Sequence, residues 1–139
     1  NLGAIVRTAA FLGVPHLVLA GDAAAAQPND AAHRVAEGGF EHVALWRTTD
    51  LPGLIGQLKV AGGDVTGAAT RGGVVRPGSR VAGRSLRAVA LGNEENGLSP
   101  ATAAACSQRV TLPGSGRVES LNVSVAAALM IWEYLRSSK

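Results

Sequence analysis

The sequence predicts an α/β fold in which a mostly parallel sheet is flanked by helices. Segments with helical and strand patterns alternate along the chain, which is the order expected when helices connect parallel strands. The segment 86–91 contains Val89-Ala90-Leu91 without a polar residue, as is typical of a parallel strand covered on both faces. At 139 residues the chain has the size of one domain, so we predict a single domain over residues 1–139.

The first half of the chain is predicted to alternate helix and strand three times. Asn1 is a favourable N-cap for the first helix, and Gly13 with Pro15 ends it. Asp50 caps the third helix, which ends at Gly62-Gly63. The strands are short apolar runs bounded by turn residues. In order, the six predicted elements cover residues 1–12, 17–19, 31–37, 42–46, 50–60 and 64–69.

The second half is predicted to form strand, helix, strand and helix, at residues 86–91, 101–106, 109–112 and 121–135. Ser99 followed by Pro100 is a strong helix start, with serine as the N-cap and proline in the first turn. The last helix is apolar on nearly all sides, so one of its faces must contact more than its own core. This face could contact a partner subunit, or the helix could be completely buried inside the domain. We favour the partner subunit.

Composition and charge restrict the class of protein. The single cysteine, Cys106, excludes an intramolecular disulfide. The sequence also contains no Cys/His cluster of the kind that would indicate a metal site. No run of 18 apolar residues is present to span a bilayer, and the start does not resemble a signal peptide. We therefore expect a cytoplasmic protein with neither a metal nor a membrane partner. A formal net charge of +3 and a pI near 9.8 permit a polyanionic partner.

Five arginines and no acidic residue lie between positions 71 and 87. Glycine and proline interrupt this stretch, whose arginines are Arg71, Arg76, Arg80, Arg84 and Arg87. A charge run of this kind is usually a solvated loop. The alternative is a rim that contacts phosphate groups.

Two segments have the composition of binding sites. The loop 92–100 directly follows a buried strand, and Gly92 and Gly97 allow its backbone to approach a ligand at the carboxyl end of that strand. The segment 116–128 places polar side chains at the start of the last helix, where backbone N–H groups lack partners within the helix. These side chains belong to Arg117, Glu119, Ser120, Asn122 and Ser124. The G-x-G-x-x-G fingerprint of dinucleotide-binding folds is absent, so a nucleotide-like ligand must be held in another way.

Three stretches, at residues 1–9, 91–99 and 120–127, carry a specific combination of motifs. They read N-L-G-A-I-V-R-T-A, L-G-N-E-E-N-G-L-S and S-L-N-V-S-V-A-A. In this order and spacing they resemble the SpoU/TrmH branch of the SPOUT superfamily of RNA methyltransferases, and the resemblance covers essentially the whole chain. It implies an α/β domain with a deep trefoil knot in its C-terminal part and a homodimer formed through the C-terminal helix.

The resemblance also implies that S-adenosylmethionine donates a methyl group to a ribose 2′-hydroxyl of tRNA or rRNA. By this similarity, the catalytic positions are Asn1, Arg7, Glu94, Ser120 and Asn122. The positions expected to bind the cofactor are Leu91, Gly92, Asn93, Gly97, Leu112, Leu121 and Asn122. Contacts to RNA are expected from Arg7, Arg76, Arg80 and Arg117. Because arginine stays protonated in proteins, we expect Arg7 to bind the RNA phosphate and the 2′-oxygen before it takes part in proton transfer.

Other roles for the same residues stay open at this point. Glu94 could act as a cap or form a salt bridge, Ser120 could cap the last helix, and Asn122 could bond a loop carbonyl. From the resemblance we also expect that the strand preceding the asparagine motif in the family and a separate N-terminal RNA-binding domain are missing from this sequence, so the choice of substrate is open.

Two other functions are possible. One is a non-catalytic RNA-binding or assembly module on the same knotted fold, against which the presence of all five catalytic positions speaks. The other is a protein that binds a small nucleotide, which the missing glycine fingerprint disfavours.

Overall fold

The computed structural model describes residues 1–21, 27–74 and 86–135 of the chain. These residues form five α-helices, five β-strands and one 3-10 helix at Gly39–Glu41. The α-helices are α1 (Leu2–Phe11), α2 (Asp30–Ala36), α3 (Leu51–Val60), α4 (Pro100–Ala105) and α5 (Val123–Tyr134). The strands are β1 (His16–Ala20), β2 (Ala44–Thr48), β3 (Asp64–Ala68), β4 (Arg87–Ala90) and β5 (Gln108–Val110). Each predicted helix and strand is confirmed, with boundaries that differ by no more than two residues.

Every strand pairing in the described part of the chain is parallel, as predicted. β1 pairs with β2, with Leu17 opposite Leu45, and β3 lies between β4 and β5. The expectation of one mostly parallel sheet is wrong in one respect, because the described strands form a two-stranded and a three-stranded sheet. The helices packed on the two sheets differ, because α1 and α2 lie against β1 whereas α3 and α4 lie against β3 and β4.

Three apolar clusters join the helices to the two sheets. The first packs α1 and α2 against β1 around the fully buried Val6. The second lies between α3, α4 and the β3–β4 pair and includes Ile55 and Cys106. The third joins α5 to Val110, with Leu91 and Leu112 packed against it. The third cluster therefore gathers the residues that follow β4 and β5 against α5.

Side-chain caps define where the helices α2, α3 and α4 begin. The carboxylate of Asp50 accepts a hydrogen bond from the Gly53 N–H at 3.0 Å, and the Ser99 hydroxyl accepts one from the Thr102 N–H at 3.2 Å, both as predicted. Asn29 caps α2, so this helix begins one residue earlier than predicted. β2 begins two residues later than predicted because the 3-10 turn occupies the preceding segment.

The helix α5 is apolar on two faces, and the single chain covers one of them. Its inner face consists of Ala127, Met130, Ile131 and Tyr134, which are buried. On the outer face Val125, Leu129 and Trp132 are 48%, 45% and 51% exposed. Complete burial of this helix inside the domain, one of the two alternatives above, is therefore wrong. No helix in the described ranges is long and apolar enough to cross a membrane.

Candidate functional site

Two amides and a carboxylate from distant parts of the chain meet at the start of α1. Asn1 Nδ2 donates a hydrogen bond to Glu94 Oε1 at 2.7 Å, and Asn122 Nδ2 lies 3.5 Å from the same oxygen. All three residues are exposed. Within the described residues, the second carboxylate oxygen, Oε2 of Glu94, has no hydrogen-bond partner. The structure thus brings together one predicted catalytic residue from each of the three motif stretches.

Asn1 and Asn122 both occupy helix N-caps, but their side chains act differently. Asn1 precedes α1 and makes no cap hydrogen bond, since its amide is turned towards Glu94. Asn122 caps α5, where its Oδ1 accepts hydrogen bonds from the backbone N–H of Ser124 at 2.9 Å and from the Ser124 hydroxyl at 2.6 Å. The alternative that Ser120 caps the last helix is therefore wrong, and the Nδ2 of Asn122 faces a carboxylate rather than a loop carbonyl.

The loop that follows β4 is a tight turn built on two glycines. A Cβ atom at Gly92 would overlap the backbone of Gly97 and Leu98, so this crossing requires glycine. Gly97 has φ +66, a left-handed conformation that favours glycine. Asn93 closes the turn, because its Oδ1 accepts a hydrogen bond from the Asn96 N–H at 2.7 Å and its carbonyl accepts one from the Gly97 N–H at 3.1 Å.

Three of the predicted cofactor residues outside this turn are leucines. Leu91 and Leu112 are partly buried against the same cluster around Val110. Leu121 is 51% exposed and directly precedes Asn122. The residues that follow β4 and β5 therefore lie close together, and the contact between Asn122 and Glu94 brings the start of α5 to the loop after β4.

Arg7 lies apart from the Asn1–Glu94–Asn122 contact. Its Nη1 is 3.1 Å from Glu37 Oε1, and both side chains are more than half exposed. Arg7 also lines a groove of about 370 Å³ between α1 and α5. The other lining residues are Thr8, Phe11, Leu12, Ala128 and Trp132. No contact within the described residues joins Arg7 to Glu94.

Two further predicted site residues that the structure describes, Ser120 and Arg117, lie on the surface. Ser120 is exposed and has no hydrogen-bond partner among the residues that the structure describes. Arg117 is exposed, and its backbone N–H donates to the Ser115 hydroxyl at 3.3 Å. Arg76 and Arg80 lie outside the described residues, so their predicted contacts to RNA stay predictions. In the described ranges, no group of three or more His, Cys, Asp or Glu side chains is arranged to hold a metal ion.

Nearly the whole chain is similar to one protein family. The model of the SpoU rRNA Methylase family matches residues 1–132. The chain belongs to this family. A curated relative, the 23S rRNA (guanosine-2'-O-)-methyltransferase RlmB of Acinetobacter baylyi, is 33% identical over 136 residues, which are 98% of this chain and 54% of the relative. The chain spans about half the length of the curated relatives it matches.

Two solved structures share the fold of this SpoU family chain. The AdoMet-bound rRNA methyltransferase from Sinorhizobium meliloti has a TM-score of 0.84 at 27% identity and covers 96% of this chain and 50% of its own. A structure concerned with the 2-OH methylation of C/U34 on tRNA has a TM-score of 0.80 at 27% identity and covers 96% of this chain and 84% of its own. Both likenesses agree with parallel sheets flanked by helices.

Proposed function

We propose that this chain transfers a methyl group from S-adenosylmethionine to a ribose 2′-hydroxyl of RNA. The observation that carries the proposal is the contact of Asn1, Glu94 and Asn122, because it joins the three motif stretches at one exposed point. The name of the curated relative, a 23S rRNA guanosine-2'-O-methyltransferase, supports the same reaction with ribosomal RNA as the substrate. Transfer RNA is the second candidate substrate, supported by the structure concerned with C/U34 of tRNA.

The residues around the turn after β4 fit S-adenosylmethionine. Leu91, Leu112 and the half-exposed Leu121 offer an apolar edge to an adenine ring, and the turn at Gly97 exposes backbone without a side chain. When bound, S-adenosylmethionine supplies an electrophilic methyl group on a sulfonium. In-line displacement requires the donor and the 2′-oxygen to be collinear, so the main task of these residues is to fix the donor relative to the ribose.

Glu94 is proposed to act at the ribose. A ribose hydroxyl is a weak nucleophile and needs a hydrogen-bond acceptor that polarises it as it attacks. The amides of Asn1 and Asn122 hold Oε1 of Glu94, and this leaves Oε2 to accept a hydrogen bond from the 2′-hydroxyl. The exposed hydroxyl of Ser120, two residues before Asn122, is proposed to bind the same ribose.

Arg7 is proposed to bind the RNA phosphate and the 2′-oxygen. Its guanidinium is always charged, and its planar fork suits a phosphate group. The exposed pair with Glu37 contributes no more than about 1 kcal/mol, so a phosphate can replace the carboxylate. Arg117, Arg76 and Arg80 are proposed to contact the RNA backbone.

A second copy of the chain is proposed to cover the groove between α1 and α5. Phe11 is 86% exposed at one side of this groove, and Trp132 is half exposed at the other. A homodimer formed here would bury the outer face of α5 and bring Arg7 to the interface.

Three broader expectations belong to the same proposal. The deep trefoil knot of the C-terminal part is supported by the likeness in fold over 96% of this chain to an AdoMet-bound rRNA methyltransferase. The description of residues 1–139 as one catalytic domain and the cytoplasmic location stay predictions.

The test is methyl transfer from labelled S-adenosylmethionine to ribosomal RNA and to tRNA, followed by mapping of the modified nucleotide. We expect Arg7→Ala to abolish transfer while calorimetry finds cofactor affinity largely unchanged. Arg34→Ala, at an exposed arginine of α2, is the matched control and should keep full activity. Full activity in the Arg7 variant would contradict its role. Tight RNA binding without any transfer by the wild-type chain would favour the non-catalytic module instead.

A further inference from the structure

We infer that Ser124 is a positioning residue of the proposed methyltransferase site, because its hydroxyl fixes the amide of Asn122 against Glu94. This inference rests on the proposed function. Ser124 does not contact Glu94 itself. It is half-buried in the first turn of α5, and its hydroxyl donates to Asn122 Oδ1 at 2.6 Å.

The orientation of the Asn122 amide follows from its partners. Oδ1 accepts two hydrogen bonds from Ser124, and Nδ2 on the other side of the amide faces Glu94 Oε1. A flipped amide would put its NH₂ group against the backbone N–H of Ser124 and its oxygen against a carboxylate, whereas the hydroxyl can both donate and accept. The backbone N–H of Ser124 therefore sets the one orientation in which Asn122 can donate to Glu94, and the hydroxyl restrains the amide in that orientation with a second bond to Oδ1.

This role is separable from the capping of α5. The cap hydrogen bond comes from the backbone N–H of Ser124, at 2.9 Å, and an alanine at this position would retain it. The hydroxyl adds a second bond to the same oxygen. Its removal leaves the helix capped but weakens the restraint on the amide.

The consequence extends to the carboxylate. At 3.5 Å, the contact of Asn122 with Oε1 is long compared with the 2.7 Å bond from Asn1, so it depends on how well the amide is held. When the Asn122 amide rotates away, Asn1 alone holds Oε1, and the free oxygen Oε2 is less well aimed at the ribose. Positioning of this kind affects turnover more than it affects the binding of cofactor or RNA.

The experiment compares Ser124→Ala and Ser124→Thr with the wild-type chain. The loss of one neutral hydrogen bond should lower kcat for methyl transfer about threefold to tenfold in the alanine variant, with KM for RNA and cofactor affinity unchanged. Threonine keeps the hydroxyl and should restore kcat. In an Asn122→Ala background, single-turnover rates should be the same with serine or alanine at position 124, since the amide on which the hydroxyl acts is gone.

The outcomes separate the inference from the proposed function. An active wild-type chain whose alanine variant turns over at the same rate would overturn the inference alone. The inference would also be overturned if the alanine and threonine variants lost the same fraction of kcat and both unfolded at a lower temperature than the wild-type chain. That result would indicate a purely structural role. A wild-type chain that transfers no methyl group to any RNA would overturn the proposed function and this inference with it.

Discussion

Replacing Gly92 with alanine tests whether the turn after β4 has the shape on which cofactor binding depends. An added Cβ atom would come closer than 3.0 Å to backbone atoms of Gly97 and Leu98. A flexible side chain can rotate away from such an overlap, but backbone cannot. The turn at residues 93–97 must therefore be displaced, by about 1 Å, to admit one methyl group.

The loss of stability expected from Gly92→Ala is at the upper end of the range measured for overpacked sites. We expect the free energy of unfolding to fall by about 3 kcal/mol. The affinity for S-adenosylmethionine should fall at least tenfold, or about 1.4 kcal/mol, because the displaced turn belongs to the proposed cofactor site. Denaturant titration measures the first quantity, and calorimetry measures the second.

Two other glycines provide controls for this substitution. Gly114 lies in a loop where an added Cβ would meet nothing within 4 Å, so Gly114→Ala should leave stability and affinity unchanged. Gly56 lies in α3 with equally open surroundings, and Gly56→Ala should stabilise the chain by about 0.5–1 kcal/mol. A Gly92→Ala variant as stable as the Gly114→Ala variant, with wild-type affinity, would refute the reasoning.

The other predictions concern a cap, a thiol and the outer face of α5. Asp50→Ala should lower the free energy of unfolding by about 1 kcal/mol in a denaturant titration, and Asp50→Asn, which keeps an acceptor oxygen, should lower it less. Burial raises the pKa of the Cys106 thiol, so the unfolded chain loses this proton at a lower pH than the folded chain. Stability should therefore decline as the pH rises above the ordinary thiol pKa of about 8.5, and urea unfolding should find a smaller decline in Cys106→Ala. Trp132→Glu should convert a dimer into a monomer in sedimentation equilibrium, whereas a wild-type chain that is monomeric at micromolar concentration would contradict the proposed interface.

The order of helices and strands could be predicted because its signals are local. Asp50 and Ser99 cap helices in the structure as their sequence context predicts. The division of the strands into two sheets could not be predicted in this way. It depends on which helices pack against which strands, and hydrophobic periodicity does not encode that choice.

The sequence could propose the residues of the candidate site but not how they are arranged. Motif resemblance selected Asn1, Glu94 and Asn122, yet the contact between the first two spans 93 positions and required the structure. Glu37, the partner of Arg7, was missed. Its backbone is left-handed with φ 46, a conformation usually left to glycine or asparagine, so the sequence marked the end of α2 but not the direction in which this turn presents the carboxylate.

The uncapped start of α1 is a position where thermostability and chemistry favour different side chains. An aspartate at residue 1 that capped the helix would satisfy a backbone N–H and add about 1 kcal/mol of stability. The same carboxylate would repel Glu94, and it has no N–H with which to hold Oε1. Substituting a better N-cap residue is normally neutral for function. At residue 1 it would raise stability but lower the proposed activity. Residue 1 should be excluded from any programme that aims to stabilise this chain and keep its proposed activity.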